Sequence, residues 1–157
     1  MEIDQSGRVE DLTMNTVVAF ANDHEASVFI SAGTKREVVR FLKTKISPTD
    51  YAPVFFSILI FFLIKDEKFS SVFIDEEYTG KDEFISEKVR KLCKFFKKPC
   101  PQIVFGRIGK HSQAHAIAIR THRSRGKGAI KVSLKNVMVF FLKKTAGTNR
   151  HTHRVSR

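Results

Sequence analysis

Residues Ala52–Ile64 read APVFFSILIFFLI, a run of 13 residues without a charge. A bilayer-spanning helix needs about 20 apolar residues, and runs of 10–14 are more often buried core helices. Lys65, Asp66, Glu67 and Lys68 stop the run abruptly. The fold must therefore cover one helix on most of its sides. Ser47 as N-cap, Pro48 at the first helical position and Asp50 three residues on mark its start. Pro53 kinks the first turns or moves the start to Asp50. The chain has 157 residues, a length that suits one domain with a sizeable core.

The other elements follow from pattern. Thr16–Asn22 and Ala26–Ala32 are rich in β-branched and aromatic residues and read as a hairpin. Thr34 and Glu37 form a capping box, opening a helix with Val38, Val39, Phe41 and Leu42 as its apolar positions. Ser71–Asp75 reads as a short central strand. A helix from about Thr79–Asp82 carries Phe84, Ile85, Val89, Leu92, Cys93 and Phe96, and ends at Pro99 and Pro101. Gln102–Ile108 is a further strand. Ser112 caps a helix through about Thr121, Ala129–Val132 is a short last strand, and Ser133 caps a final helix. The expected class is α/β or α+β. It has a small mixed sheet that begins with a β-hairpin and continues in β-α-β-α units, with helices packed on the sheet. Residues 1–15 read as a flexible segment, 16–144 as the single domain and 145–157 as a basic flexible tail. Ser71–Asp75 and Gln102–Ile108 should pair in parallel.

Charge is divided along the chain. The net charge is +12; residues 1–80 carry 8 basic and 13 acidic side chains, and residues 81–157 carry 20 basic and 3 acidic. No acid follows Glu87, although mixed signs are usual on a protein surface. The basic half favours a polyanion, with nucleic acid before an acidic membrane surface. Met1–Glu10 is polar with both signs and does not read as a secretory signal. The expectation is a cytoplasmic protein with no transmembrane segment. Cys93 and Cys100 are too few for a disulfide framework and read as buried or inert.

Ligands in open sheets gather beyond the carboxyl ends of the strands. Asp75, Glu76 and Glu77 lie at one such end, and alternation puts Asp75 and Glu77 on one side. With Asp23, from the end of the strand Thr16–Asn22, they form a candidate oxygen site for Mg²⁺ or Mn²⁺. This arrangement requires the strands that carry them to run parallel. His111 and His115, four apart at a helix start, are candidates for moving a proton near a scissile phosphate. Lys110 and Ser112 join backbone N–H groups at the same helix start, a plausible anion site. Arg120, Arg123, Arg125 and Lys127 would hold phosphates without reading bases. The tail repeats the theme with Arg150, Arg154 and Arg157. No nucleophile elbow, dinucleotide fingerprint or complete P-loop is present.

The order of elements and the placement of carboxylates resemble a reduced ribonuclease H-like nuclease. That family holds two divalent metals with carboxylates on its first strand, first helix, fourth strand and last helix. The resemblance implies Asp23, Glu37 and Asp75 as counterparts, with His115 or His111 nearest the last place. The chain departs from the family by a missing third hairpin strand, an added apolar helix and the capping role of Glu37. A nucleotidyltransferase-like topology shares the same order. The stretch IGKHSQAH is similar to one in uncharacterised archaeal proteins. The leading expectation is a nuclease that hydrolyses phosphodiester bonds with metal-assisted water. The alternative is a non-catalytic DNA- or RNA-binding protein, followed by a membrane- or partner-binding protein that uses the apolar run.

Overall fold

The computed structural model describes residues 1–149, and side chains through Leu142. Among the described residues the elements are β1 (Glu2–Ser6), β2 (Thr16–Ala21), β3 (Glu25–Ile30), α1 (Ala32–Lys43), α2 (Tyr51–Ile64), β4 (Ser71–Asp75), α3 (Asp82–Phe95), β5 (Gln102–Gly106), α4 (Gln113–Arg123), β6 (Ile130–Lys131) and α5 (Leu134–Asn149). The strands form one mixed sheet in the order β5-β4-β1-β2-β3-β6. Strands β1, β2 and β3 make an antiparallel meander. Strand β4 lies parallel to β1, β5 parallel to β4, and β6 parallel to β3. The expected α/β architecture and the β4–β5 parallel pair are both present.

The sheet opens with a three-stranded meander rather than the expected hairpin, because Glu2–Ser6 is a strand and not part of a flexible segment. It is a central strand, flanked by β2 and β4. Ile3 is its one strongly apolar residue, so it lacks the pattern by which strands are read. Its ends are fixed by the ladder and by Gly7, whose φ of 77° suits glycine.

The main core lies on one face of the sheet. Ile3, Val18, Phe20, Val28, Ile30, Val72 and Ile74 face α1, α2 and α3 there. Within α2, every residue from Val54 to Phe61 is buried. A helix apolar all round requires this setting. Helix α3 packs along α2, and Phe61 meets Phe96 and Phe140 at ring-centroid distances of 5.4 and 5.7 Å. The opposite face carries α4, whose Ile117 and Ala118 close over Val17, Ala19 and Phe29.

Some local signals resolve differently from expectation. Ser31, not a Thr34–Glu37 box, caps α1, its hydroxyl accepting from Thr34 N. Ser47 belongs to a turn before α2, accepting through its carbonyl from Asp50 N and Tyr51 N; Asp50 is the N-cap and Pro53 falls in the first turn. Ser112 caps α4 as expected and accepts from His115 N. Ser133 caps α5 through Asn136 N at 3.2 Å. Helix α5 runs through Asn149, beyond the expected tail boundary at residue 145. Arg150, Arg154 and Arg157 lie outside the described residues. Cys93 is buried as expected, but Cys100 is exposed.

Candidate metal centre

Strands β1 and β4 carry the same dipeptide, Ile3-Asp4 and Ile74-Asp75. The two strands run parallel, with Ile3 paired to Ile74. The aspartates therefore come level, Asp4 in the middle of β1 and Asp75 at the carboxyl end of β4. Alternation turns both away from the main core, toward the α4 face. Glu77 follows β4 by two residues on the same side. One carboxylate oxygen each from Asp4, Asp75 and Glu77 lies within 4.8 Å of the others.

The surroundings fix these groups in different ways. Asp4 is 4% exposed. Its Oδ1 accepts from Gln5 N at 2.8 Å, and its Oδ2 lies 2.7 Å from His115 Nδ1. Asp75 Oδ1 accepts from Ile108 N at 2.6 Å, tying β4 to the segment that leads into α4. Glu77 is half-buried. Burial, then the charges of Asp75 and Asp4, push its carboxyl up to about 7. Burial also raises the Asp4 carboxyl, against the lowering effect of the His115 hydrogen bond. Carboxylates this close repel one another, and a divalent cation relieves that repulsion. Three hard oxygen donors fit Mg²⁺ or Mn²⁺ rather than a thiophilic metal. Each oxygen of Asp4 already accepts one hydrogen bond but keeps a second lone pair.

His115 stands in the first turn of α4. Its Nδ1 is engaged with Asp4, which leaves Nε2 for proton exchange. It also lines an open groove along α4 with Lys110, Ala116, Ile119, Arg120 and Arg123. Seven residues further along α4, His122 Nδ1 lies 2.9 Å from Ser6 Oγ. Two histidines of one helix thus meet two alternate residues of β1.

Asp75 and Glu77 are brought together as expected, but Asp23 is not with them. Strand β2 runs antiparallel to β1, with Glu2 opposite Ala21, so its carboxyl end lies at the amino end of β4. The next residue, His24, bonds Glu67 at 2.9 Å, before β4 begins. Asp23 therefore sits at the far end of the sheet, and Asp4 takes the place given to it. Glu37 is exposed on α1, which packs on the opposite face from α4. His111 is exposed in the turn before α4 rather than on the helix with His115. The Ser112 hydroxyl is used by the helix cap. Arg120 is paired with Glu25. Arg123, Arg125 and Lys127 are exposed at the far end of α4 and in the loop beyond it, and Lys110 is exposed before α4. Sequence reasoning missed Asp4, although the repeated Ile-Asp dipeptide was a readable signal.

No family model, curated protein or solved structure matches this chain. Among the described residues no helix is long and apolar enough to cross a membrane.

Proposed function

We propose that this chain is a metal-dependent nuclease that hydrolyses phosphodiester bonds of DNA or RNA and acts in the cytoplasm. The observation that carries the reading is the convergence of Asp4, Asp75 and Glu77 within 4.8 Å, beside a histidine and a cationic helix. Asp4, Asp75 and Glu77 would hold Mg²⁺ or Mn²⁺, which when bound supplies charge neutralisation at the scissile phosphate and its attacking water. Asp4 fixes His115 through Nδ1 and leaves Nε2 to take or give a proton at the phosphate oxygens. Lys110 and Arg123 border the groove next to His115 and would hold the backbone on either side of the reacting phosphate. Arg125 and Lys127 extend that track.

The reading keeps the ribonuclease H-like resemblance as an expectation. On it, a first-strand carboxylate (Asp4), a fourth-strand carboxylate (Asp75) and a helix residue beside them (His115) would be the counterparts. The first-helix carboxylate has no counterpart in the cluster, and Glu77 is the third acid instead.

The test is cleavage of linear double-stranded DNA, single-stranded DNA and RNA with Mg²⁺, Mn²⁺ or EDTA, using wild type and Asp75→Ala. Metal-dependent cutting that is lost in the folded variant is expected. Tight, salt-sensitive binding without cutting would contradict the nuclease reading and leave a nucleic-acid-binding protein.

A further inference from the structure

Two of the three clustered carboxylates are placed by the sheet itself. Asp4 and Asp75 lie on neighbouring parallel strands, and Asp75 is held further by Ile108 N. Glu77 lies past the end of β4, where the ladder continues only as far as Glu76 N donating to Gly106 O. The main chain at Glu77 is held from another direction, because Arg8 Nη2 donates to its carbonyl at 2.8 Å.

Arg8 belongs to the loop between β1 and β2, and that loop is firmly tied. Its Nε pairs with Glu10 at 2.7 Å, and its guanidinium lies over the Tyr78 ring at 5.1 Å. The Tyr78 hydroxyl donates to the same Glu10 carboxylate at 3.1 Å. Arg8, Glu77, Tyr78 and Glu10 thus close a circuit. The Arg8 carbonyl accepts from Lys35 Nζ at 3.0 Å, and that ammonium, fully buried, also donates to Thr16 Oγ1 at 2.9 Å. A partly exposed ion pair contributes little to stability. This guanidinium instead fixes direction, with two donors and one stacked face used at once. A lysine cannot reproduce that geometry.

We propose that Arg8 is a positioning residue that holds Glu77 in place for the divalent cation. This rests on the metal-site reading of Asp4, Asp75 and Glu77. Charge and positioning predict opposite signs. If Arg8 acted only through its charge, its removal would tighten cation binding, because a positive neighbour opposes a cation. If it positions Glu77, its removal weakens cation binding. Partners that orient ligands typically alter metal affinity about 10- to 100-fold, and the half-exposed setting of Arg8 points to about tenfold.

The experiment is calorimetric titration of Mn²⁺ into the full chain without nucleic acid, for wild type, Arg8→Ala, Arg8→Gln and Arg8→Lys. Thermal unfolding of each confirms a folded sample, and Arg8→Gln serves if Arg8→Ala does not fold. Weaker Mn²⁺ binding by about tenfold is expected for the neutral variants, with no full rescue by Arg8→Lys. Cleavage at saturating Mn²⁺ is expected to recover to within about twofold of wild type. Unchanged or tighter binding in the neutral variants, or full rescue by Arg8→Lys, overturns the positioning role and leaves the metal site standing. No Mn²⁺ binding by wild type overturns both.

Discussion

Replacing Glu77 by Gln should make the metal-free protein more stable while depriving the centre of a ligand. The carboxyl is pushed from its ordinary 4.5 up to about 7 by burial and by Asp75 and Asp4. Taken whole, that difference corresponds to ~3 kcal/mol opposing ionisation in the fold. Glu77 is only half-buried, and solvent screening reduces the figure to ~1–2 kcal/mol. The sign follows from linkage. A carboxyl whose folded value is raised holds its proton longer when folded, so the stabilisation is complete below about 4.5 and lost as pH rises through about 7. Glutamine is neutral throughout and can donate to Asp75. In EDTA at pH 8, Glu77→Gln should therefore melt higher than wild type by ~2–8 °C, using ~2–4 °C per kcal/mol for a chain of this size. The difference should vanish near pH 4.5. Added Mg²⁺ should raise the wild-type melting temperature more than that of the variant. Equal or lower stability of Glu77→Gln at pH 8 in EDTA would refute the reasoning that burial and the neighbouring carboxylates oppose ionisation of Glu77.

Further expectations follow from the same geometry. His115→Ala should lower the cleavage rate by ~10²–10⁴-fold with little change in substrate binding, measured by single-turnover and binding assays. Arg123→Ala and Lys110→Ala should each reduce the slope of log affinity against log salt by about 1, measured in EDTA. Ile60→Val, at a fully buried position of α2, should cost ~0.5–1.5 kcal/mol in urea unfolding with an unchanged m-value. Gly106→Ala should destabilise the fold as read by thermal melting, because an added Cβ would run into the Phe73 ring that lies over it.

Most of the fold was legible because most of its elements carry strong periodicity or end signals. The apolar run Ala52–Ile64 demanded cover on most sides and found it in the sheet, α1, α3 and α5. The short apolar SVFID and QIVFG segments read correctly as parallel neighbours. Strand β1 was illegible for a physical reason. Its sequence, EIDQS, places buried Asp4 and Gln5 where a central strand would normally put apolar side chains. Local rules fail most often where a chain gives up packing for function. That miss propagated to the site. Without β1, the acid after the first expected strand, Asp23, was taken to complete the set with Asp75 and Glu77, and strand direction is not written in the residues of an isolated strand. The side of the site toward α4 was easier to read. His115 follows a cap that the sequence marks with Ser112, although α4 runs on to Arg123, two residues past the expected end.

On the proposed reading, Asp4 and not Asp23 completes the metal centre with Asp75 and Glu77. The most direct measurement compares Mn²⁺-dependent cleavage and Mn²⁺ affinity in Asp4→Asn and Asp23→Asn, two isosteric changes at opposite ends of the sheet. Asp4→Asn should lose both, while Asp23→Asn should keep both at wild-type levels. Retained cleavage and affinity in a folded Asp4→Asn variant, or their loss in Asp23→Asn, would contradict it.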